Sequence, residues 1–219
     1  YISDRINFHS SPAMRLVAKE ALNMAGKDIS DIDKFDLYSC FPSAVEVACK
    51  EMEISENDPR GLTVTGGLPY FGGPGNNYVT HSIAQMMEEV RSEPGISGMV
   101  TANGNYLTKQ SVGIYSTRPL EKPFSPKDPA SYQELIDADK GPEVAETANG
   151  PAVVETYTVM HDRSGPSYSI LFGRLEDGRR FIANTPDDPI LLQNMVDQDF
   201  IGVHGRVKNL DGKNVFEPT

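Results

Sequence analysis

The candidate catalytic residues of the chain are Cys40 and His81, whose side-chain types suit nucleophilic and acid–base chemistry. A cysteine becomes a nucleophile when a neighbouring base removes its proton, and Tyr38 or His81 is placed in the sequence to do this for Cys40. Each residue also has a structural interpretation. A cysteine just after a buried strand usually fills space in the core, and a histidine on a helix face is usually exposed or hydrogen-bonded locally. Cys40 and His81 are therefore candidate catalytic residues, and a purely structural role for each stays open.

A glycine-rich segment, Thr65 to Asn77, has the sequence T-G-G-L-P-Y-F-G-G-P-G-N-N. Five glycines and two prolines are typical of turns in any protein. The phenols of Tyr70 and Tyr106 are candidate acids, although aromatic residues beside such turns commonly pack against the backbone.

Regular elements flank these residues. Ser11 and Pro12 predict a helix start and Gly26 a helix end. Apolar residues at helical or strand spacing predict helices over 12–26, 43–52 and 78–90, and strands over 35–39, 98–101 and 111–116. This order predicts a layered α/β unit with a mixed sheet.

The pattern changes after residue 117. Prolines and acidic residues over 118–150 predict a linker that has helical spacing only at 132–137. Beyond it, short β-rich runs separated by turn signals predict a small β-barrel of the oligonucleotide/oligosaccharide-binding (OB) type; the runs are 152–160, 167–174, 179–184 and 203–207, with a helix at 190–196. The predicted domains are thus 1–117, a linker at 118–150, and 151–219.

Composition excludes several classes of function. The net charge of −11 disfavours binding to phosphate backbones, so we expect no nucleic-acid partner. No apolar run approaches the roughly 20 residues of a membrane span, so no membrane partner is expected. The two cysteines, Cys40 and Cys49, form no C-x-x-C motif and the four histidines are scattered, which predicts no metal site and favours a reducing, cytoplasmic location.

Three separated segments resemble the C-terminal half of thiolases. The first, L-Y-S-C-F at 37–41, is similar to the H-D-C-F motif of sterol-carrier-type thiolases. Cys40 and Phe41 match that motif, whereas Tyr38 and Ser39 replace its two polar functional residues.

The second and third segments keep the framework of the thiolase motifs and lack their titratable residues. The glycine-rich segment resembles the loop G-G-x-x-x-x-G-H-P: the glycines at 66, 67 and 72 and Pro74 match, and Gly73 stands in the place of the histidine. The segment T-A-N-G-N-Y at 101–106 resembles the thiolase motif C-x-G. There Gly104 matches, and Ala102 stands in the place of the cysteine.

Together with the β-rich tail, these segments resemble the thiolase-like proteins of type 1, which add a small C-terminal β domain to a thiolase fold. The resemblance implies a thiolase-type C-terminal half followed by that domain. It also implies a pocket wall made of Tyr38, Ser39, Phe41, Gly66, Gly67, Gly72, Gly73, Pro74, Asn76, Asn77, Ala102, Asn103, Gly104 and Tyr106.

The function implied is that of an acyltransferase acting on acyl-CoA thioesters, as the C-terminal part of a larger chain. The alternative is a degenerate module that binds acyl-CoA or a partner protein without turnover, which the loss of both titratable residues favours. Coenzyme A thioester is then the substrate or ligand, and no other cofactor is expected. The other thiolase half, in the same chain or as a separate subunit, is the expected partner.

Overall fold

The computed structural model describes residues 1–219, and the chain folds into two compact units. Residues 9–138 form one unit, here called the α/β unit. Residues 1–8 and 139–219 form the other, here called the β unit. These limits differ from the predicted 1–117, 118–150 and 151–219, because the first eight residues join the C-terminal part of the chain.

The α/β unit is built on a three-stranded mixed sheet, as predicted. The strands are β1 (Lys34–Asp36), β2 (Ser97–Gly104) and β3 (Lys109–Ser116), in the order β1-β2-β3. Strand β1 runs parallel to β2, and β3 runs antiparallel to β2. The helices are α1 (Pro12–Ala25), α2 (Pro42–Met52), α3 (Leu68–Phe71), α4 (Tyr78–Ser92) and α5 (Pro129–Asp137), with a 3-10 turn at Ile29–Asp31.

Helix α1 shows why the sequence pattern gives this structure. The Ser11 hydroxyl accepts a hydrogen bond from the backbone N–H of Met14, Pro12 occupies the first helical position, and Gly26 ends the helix with a left-handed φ of 64°. Its apolar face buries Met14 and Ala18 in the main core. The capping signals in the sequence therefore mark both ends of this helix to within one residue.

The β unit contains a five-stranded antiparallel sheet. Its elements are β4 (Gly150–Asp162), β5 (Gly165–Leu175), β6 (Arg180–Ala183), α6 (Pro189–Asp197), β7 (His204–Leu210) and β8 (Lys213–Pro218), with a 3-10 turn at Ile2–Asp4. The strand order is β6-β5-β4-β7-β8.

The predicted OB-like small β-barrel is not confirmed, and no closed barrel is observed. The edge strands β6 and β8 share no hydrogen-bonded ladder. The Asn214 side chain of β8 donates to the Ile182 carbonyl of β6, and an isolated bridge joins Val215 to Asn184, the residue after β6. The sheet therefore stays open between its two edge strands.

A buried arginine attaches residues 1–8 to the β unit. The Arg180 side chain is fully buried and donates hydrogen bonds to the backbone carbonyls of Ser3 and Arg5. It also forms a two-fold hydrogen-bonded ion pair with Glu155, at 2.6 and 2.7 Å. The ring of Phe8 lies 4.6 Å from the Arg180 guanidinium carbon. These contacts account for the placement of the N-terminal segment in this unit.

The predicted linker also contains ordered structure. Helix α5 lies within 118–150, and Ala145 and Ala148 are buried in the apolar core of the β unit. None of the helices combines the length and apolar character that crossing a membrane requires.

Candidate functional site

The segment that follows β1 carries the residues of the first predicted motif. Strand β1 ends at Asp36, earlier than the predicted 35–39, and the chain then crosses to α2. The Tyr38 backbone N–H donates to the Thr101 hydroxyl oxygen at 2.8 Å, and the Ser39 hydroxyl accepts from the Leu68 backbone N–H at 2.8 Å. The segment is thereby attached to β2 on one side and to the glycine loop on the other.

Cys40 lies beside the amide of Asn103. The Asn103 Nδ2 atom donates to the Cys40 Sγ atom at 3.6 Å, which is a sulfur hydrogen bond. The amide orientation follows from a second contact, because Asn103 Oδ1 accepts from the Leu107 backbone N–H at 2.7 Å, and a backbone N–H can only donate. Cys40 is partly exposed, whereas Cys49 is buried, and burial raises the pKa of the Cys49 thiol. Of the two thiols, Cys40 is the accessible one.

The backbone of the glycine loop explains most of its glycines. Gly66, Gly67, Gly72 and Gly75 have φ values of 84°, 99°, 82° and 65°, a region that side chains with a Cβ atom rarely occupy. The chain reverses direction here around the short helix α3.

Gly73 is a glycine for a different reason, because its surroundings are full. A Cβ atom added there would lie 2.7 Å from Leu68 Cδ1 and 2.7 Å from Tyr78 Cβ. The position that resembles the thiolase histidine therefore has no room for a side chain in this conformation of the loop.

The turn between β2 and β3 is strained. Three consecutive residues that are not glycine, Asn105, Tyr106 and Leu107, have φ values of 49°, 41° and 58°, which costs free energy and persists only where the surroundings enforce it. Here the Tyr106 and Ser43 hydroxyls are hydrogen-bonded at 2.6 Å, and the Leu107 side chain is buried. The turn is thereby fixed next to the start of α2.

A buried carboxylate that the sequence analysis missed links both ends of the glycine loop. Asp36 is fully buried at the end of β1. Its Oδ1 atom accepts from the Thr65 backbone N–H at 3.1 Å and from the Thr65 hydroxyl at 2.8 Å, and its Oδ2 atom accepts from the Tyr78 hydroxyl at 3.1 Å. The available signal was an acidic residue between two apolar ones, F-D-L at 35–37.

Two tyrosines near this carboxylate have perturbed acidity. Burial is the main cause of the raised pKa of Tyr78 and of Tyr38, because a phenolate is poorly solvated in the interior. The two rings contact each other edge to face, with centroids 5.4 Å apart. Both phenols therefore act as neutral hydrogen-bonding groups at neutral pH, and Tyr38 is a weak choice of base for Cys40.

Other predicted candidates lie in the glycine loop or in the first turn of α4 that follows it. The His81 ring packs against the ring of Phe71, with centroids 5.5 Å apart. Tyr70 is 90% exposed, as expected of a surface phenol. Asn76 and Pro74 are exposed, and the buried Oδ1 atom of Asn77 has no hydrogen-bond partner.

The other predicted wall residues lie on the strand and turn that face α2. Ala102 and Gly104 are partly buried on β2, where they pair with Ser111 and Lys109 of β3. The Phe41 ring is 58% exposed and contacts the Tyr106 ring edge to face. The structure thus brings the 38–41 segment together with residues from the start of the loop and from the β2–β3 turn, and the assignment of a pocket wall stays a prediction.

A surface pocket of about 320 Å³ opens elsewhere in the α/β unit, lined by His9, Glu46, Val47, Lys50 and Glu56. It includes none of the predicted site residues. No group of His, Cys, Asp and Glu residues has an arrangement suited to a metal ion.

Comparison with known proteins identifies the family. Residues 131–213 match the family model described as the thiolase-like protein type 1 additional C-terminal domain. The crystal structure of a monomeric SCP2-thiolase-like protein type 1 from Mycobacterium smegmatis matches 100% of this chain at 40% sequence identity, with a TM-score of 0.91. The chain belongs to the thiolase-like proteins of type 1. This confirms the resemblance stated from the sequence motifs.

The thiolase-like chain spans 48% of the length of that solved relative. No curated protein sequence matched it. The match to the additional C-terminal domain covers most of α5 and most of the β unit.

Proposed function

We propose that this thiolase-like protein binds acyl-CoA thioesters, and that the residues described here form one wall of the thioester site without supplying acid–base groups for Claisen chemistry. The observation that carries the lack of acid–base chemistry is the filled space at Gly73, and the likeness to a thiolase-like protein supports the thioester as the ligand. In the thiolases that the loop resembles, a histidine at this position contacts the reacting acyl group. Here Leu68 and Tyr78 occupy the space that its side chain would need.

The second position at which thiolases carry a titratable residue also lacks an acid–base group in this chain. Ala102 stands where the thiolase motif carries a cysteine, and alanine has no proton to transfer. What remains around Cys40 are hydrogen-bond donors, above all the Asn103 amide. Such donors bind or polarise a thioester carbonyl without titrating.

We further propose that most contacts to coenzyme A come from a second thiolase half, in the same polypeptide or in a partner subunit, and that the protein is cytoplasmic. The support for the second half is the coverage of the solved relative, of which this chain matches 48%. The support for the location is the presence of two free thiols.

The test is calorimetric titration of the natural full-length protein with acetoacetyl-CoA and with free coenzyme A, beside a thiolysis assay with acetoacetyl-CoA. We expect saturable binding and no thiolysis. Absence of binding at millimolar ligand would contradict the binding proposal, and thiolysis would contradict the proposed lack of Claisen chemistry.

An acyltransferase function through Cys40 is the second candidate, and the Asn103–Cys40 contact favours it, since an amide donor stabilises a thiolate. In that reaction the Cys40 thiolate attacks the thioester carbonyl carbon, the carbon–sulfur bond to coenzyme A breaks, and coenzyme A leaves as its thiolate. An acceptor nucleophile then takes the acyl group and releases Cys40.

Peptide mapping after incubation with acetyl-CoA tests this candidate. Transfer predicts an acetyl group on Cys40, its loss in the Cys40→Ser variant, and none on buried Cys49, which serves as the internal control. Absence of acetylation on Cys40 leaves binding without turnover as the function.

A further inference from the structure

The Asp36 carboxylate is bound by the two residues that frame the glycine loop. Thr65 immediately precedes Gly66, and Tyr78 immediately follows Asn77. Both reach the same carboxylate, and the Thr65 and Tyr78 hydroxyls also contact each other at 2.7 Å. We call Asp36, Thr65 and Tyr78 the loop clasp. It closes the twelve residues 66–77 at their base.

The protons of the clasp can be assigned from the contacts. The Thr65 hydroxyl has one proton, and the 2.8 Å contact with Asp36 Oδ1 uses it. Thr65 Oγ1 is then free to accept, from the Gly67 backbone N–H at 3.2 Å and from the Tyr78 hydroxyl at 2.7 Å. The single Tyr78 proton is thus shared between Thr65 Oγ1 and Asp36 Oδ2. The clasp therefore holds the first turn of the loop directly as well as its two ends.

Burying a carboxylate in the protein interior costs free energy. All recorded partners of Asp36 are neutral donors, and burial of a charged group without a charged partner is unfavourable. An apolar residue would pack at this position with less cost. Buried polar networks specify one conformation. A role of Asp36 in fixing the geometry of the glycine loop would therefore explain why a carboxylate lies at this position.

We propose that Asp36 is a positioning residue, which acts through Thr65 and Tyr78 to hold the glycine loop against the Ser39–Cys40 segment before a ligand arrives. The contact that it maintains is the one between the Leu68 backbone N–H and the Ser39 hydroxyl. The effect on ligand affinity rests on the proposed binding of acyl-CoA, whereas the effect on the loop does not. A loop already in place binds without the entropic cost of ordering it.

The test combines two variants that remove one hydroxyl each, Tyr78→Phe and Thr65→Val, in the natural full-length protein. Hydrogen–deuterium exchange followed by mass spectrometry compares peptides covering 66–77 with peptides covering α1. We expect exchange in the loop to become at least about tenfold faster, since bonds to a carboxylate are lost, and exchange in α1 to stay unchanged. Thr65→Ser keeps the hydroxyl and should restore slow exchange.

A matched control removes a hydroxyl elsewhere. Tyr115 on β3 is partly buried and packs against the cluster of Met86, Val90 and Val100, so Tyr115→Phe should leave loop exchange unchanged. Unchanged loop exchange in both clasp variants would overturn the proposal. Equal acceleration in the loop and in α1 would also overturn it, because it would show a general loss of stability.

Titration of the same variants with acetoacetyl-CoA separates the two proposals. We expect about tenfold weaker binding in Tyr78→Phe and Thr65→Val and wild-type affinity in Thr65→Ser. If the wild type binds no acetoacetyl-CoA, the proposed function fails and the exchange result alone decides on the clasp. Faster loop exchange with unchanged affinity would refute the role of the clasp in binding.

Discussion

Replacing Gly73 by alanine tests whether the thiolase histidine position is closed. The new Cβ atom would lie 2.7 Å from two carbons, Leu68 Cδ1 and Tyr78 Cβ, where carbon pairs favour about 3.5–4.0 Å. Leu68 Cδ1 is the end of a flexible side chain and can rotate away. Tyr78 Cβ cannot move freely, because the residue opens α4 and its hydroxyl is bound to Asp36. We therefore expect the free energy of unfolding to fall by about 1–3 kcal/mol, as in other overpacked sites.

The matched control is Gly104→Ala. A Cβ atom there would lie 3.5 Å from the nearest atom, Lys109 Cβ, which is an ordinary contact, and neither Gly73 nor Gly104 has a left-handed φ. Urea denaturation followed by circular dichroism should place the control within about 0.5 kcal/mol of wild type. Equal stabilities of the two variants would refute the claim that Gly73 is enclosed.

A double variant identifies the group that closes the site. Adding Leu68→Ala to Gly73→Ala removes the Cδ1 atom and one of the two closest contacts. Its loss of stability should then be smaller than the sum of the two single losses, because the residues share one space. Additive losses would mean that Leu68 is not in the way. Since histidine begins with the same Cβ atom, Gly73→His should meet the same obstruction before any chemistry is restored.

Two further predictions concern buried groups. Arg180→Leu should destabilise the protein by on the order of 1–3 kcal/mol, because the backbone carbonyls of Ser3 and Arg5 lose their buried donor, whereas Glu155 keeps its ion pair with Arg174. Arg179→Leu, which breaks an exposed ion pair with Asp177, should not measurably change the melting temperature; similar melting temperatures for both variants would contradict the role of Arg180. Burial raises the pKa of Tyr78 above its ordinary value of 10.0, so the folded state holds this proton more tightly than the unfolded state. Its contribution to stability is complete below pH 10.0 and is lost as the pH rises through the folded pKa; urea titrations should show a shallower alkaline decline in Tyr78→Phe, and an identical decline would refute this assignment.

Local patterns allowed most elements of the fold to be predicted. Helix α1 carries its own capping residues, and α4 carries a clear apolar stripe, so short-range physics is enough for both. Strand β1 was predicted to continue to Ser39 because Leu37 is apolar and buried. The chain instead leaves the strand after Asp36, and the Leu37 backbone N–H bonds to the Leu62 carbonyl. The neighbouring loop, which no local pattern reveals, decides where the strand ends.

Contacts between distant parts of the sequence account for what could not be predicted. Arg180 binds the carbonyl of Ser3 across 177 positions in the chain, so no local pattern assigns residues 1–8 to the β unit. Strand β8 is not among the strands that the sequence predicts, although six residues of it pair with β7. Motif comparison found the glycine loop and Cys40. It could not find Asp36, whose role depends on two hydroxyls 29 and 42 positions away.

The filled site at Gly73 and the loop clasp share one residue, Tyr78. Its Cβ atom closes the space beside Gly73, and its hydroxyl binds Asp36. A side chain at position 73 would need Tyr78 to move, and movement of Tyr78 would strain the hydrogen bonds that hold both ends of the loop. The loop geometry and the absence of a histidine are thus physically coupled. A return to thiolase-like acid–base chemistry at this position requires the surroundings of Tyr78 to change together with Gly73, and the Gly73→Ala and Tyr78→Phe variants measure the two sides of that coupling separately.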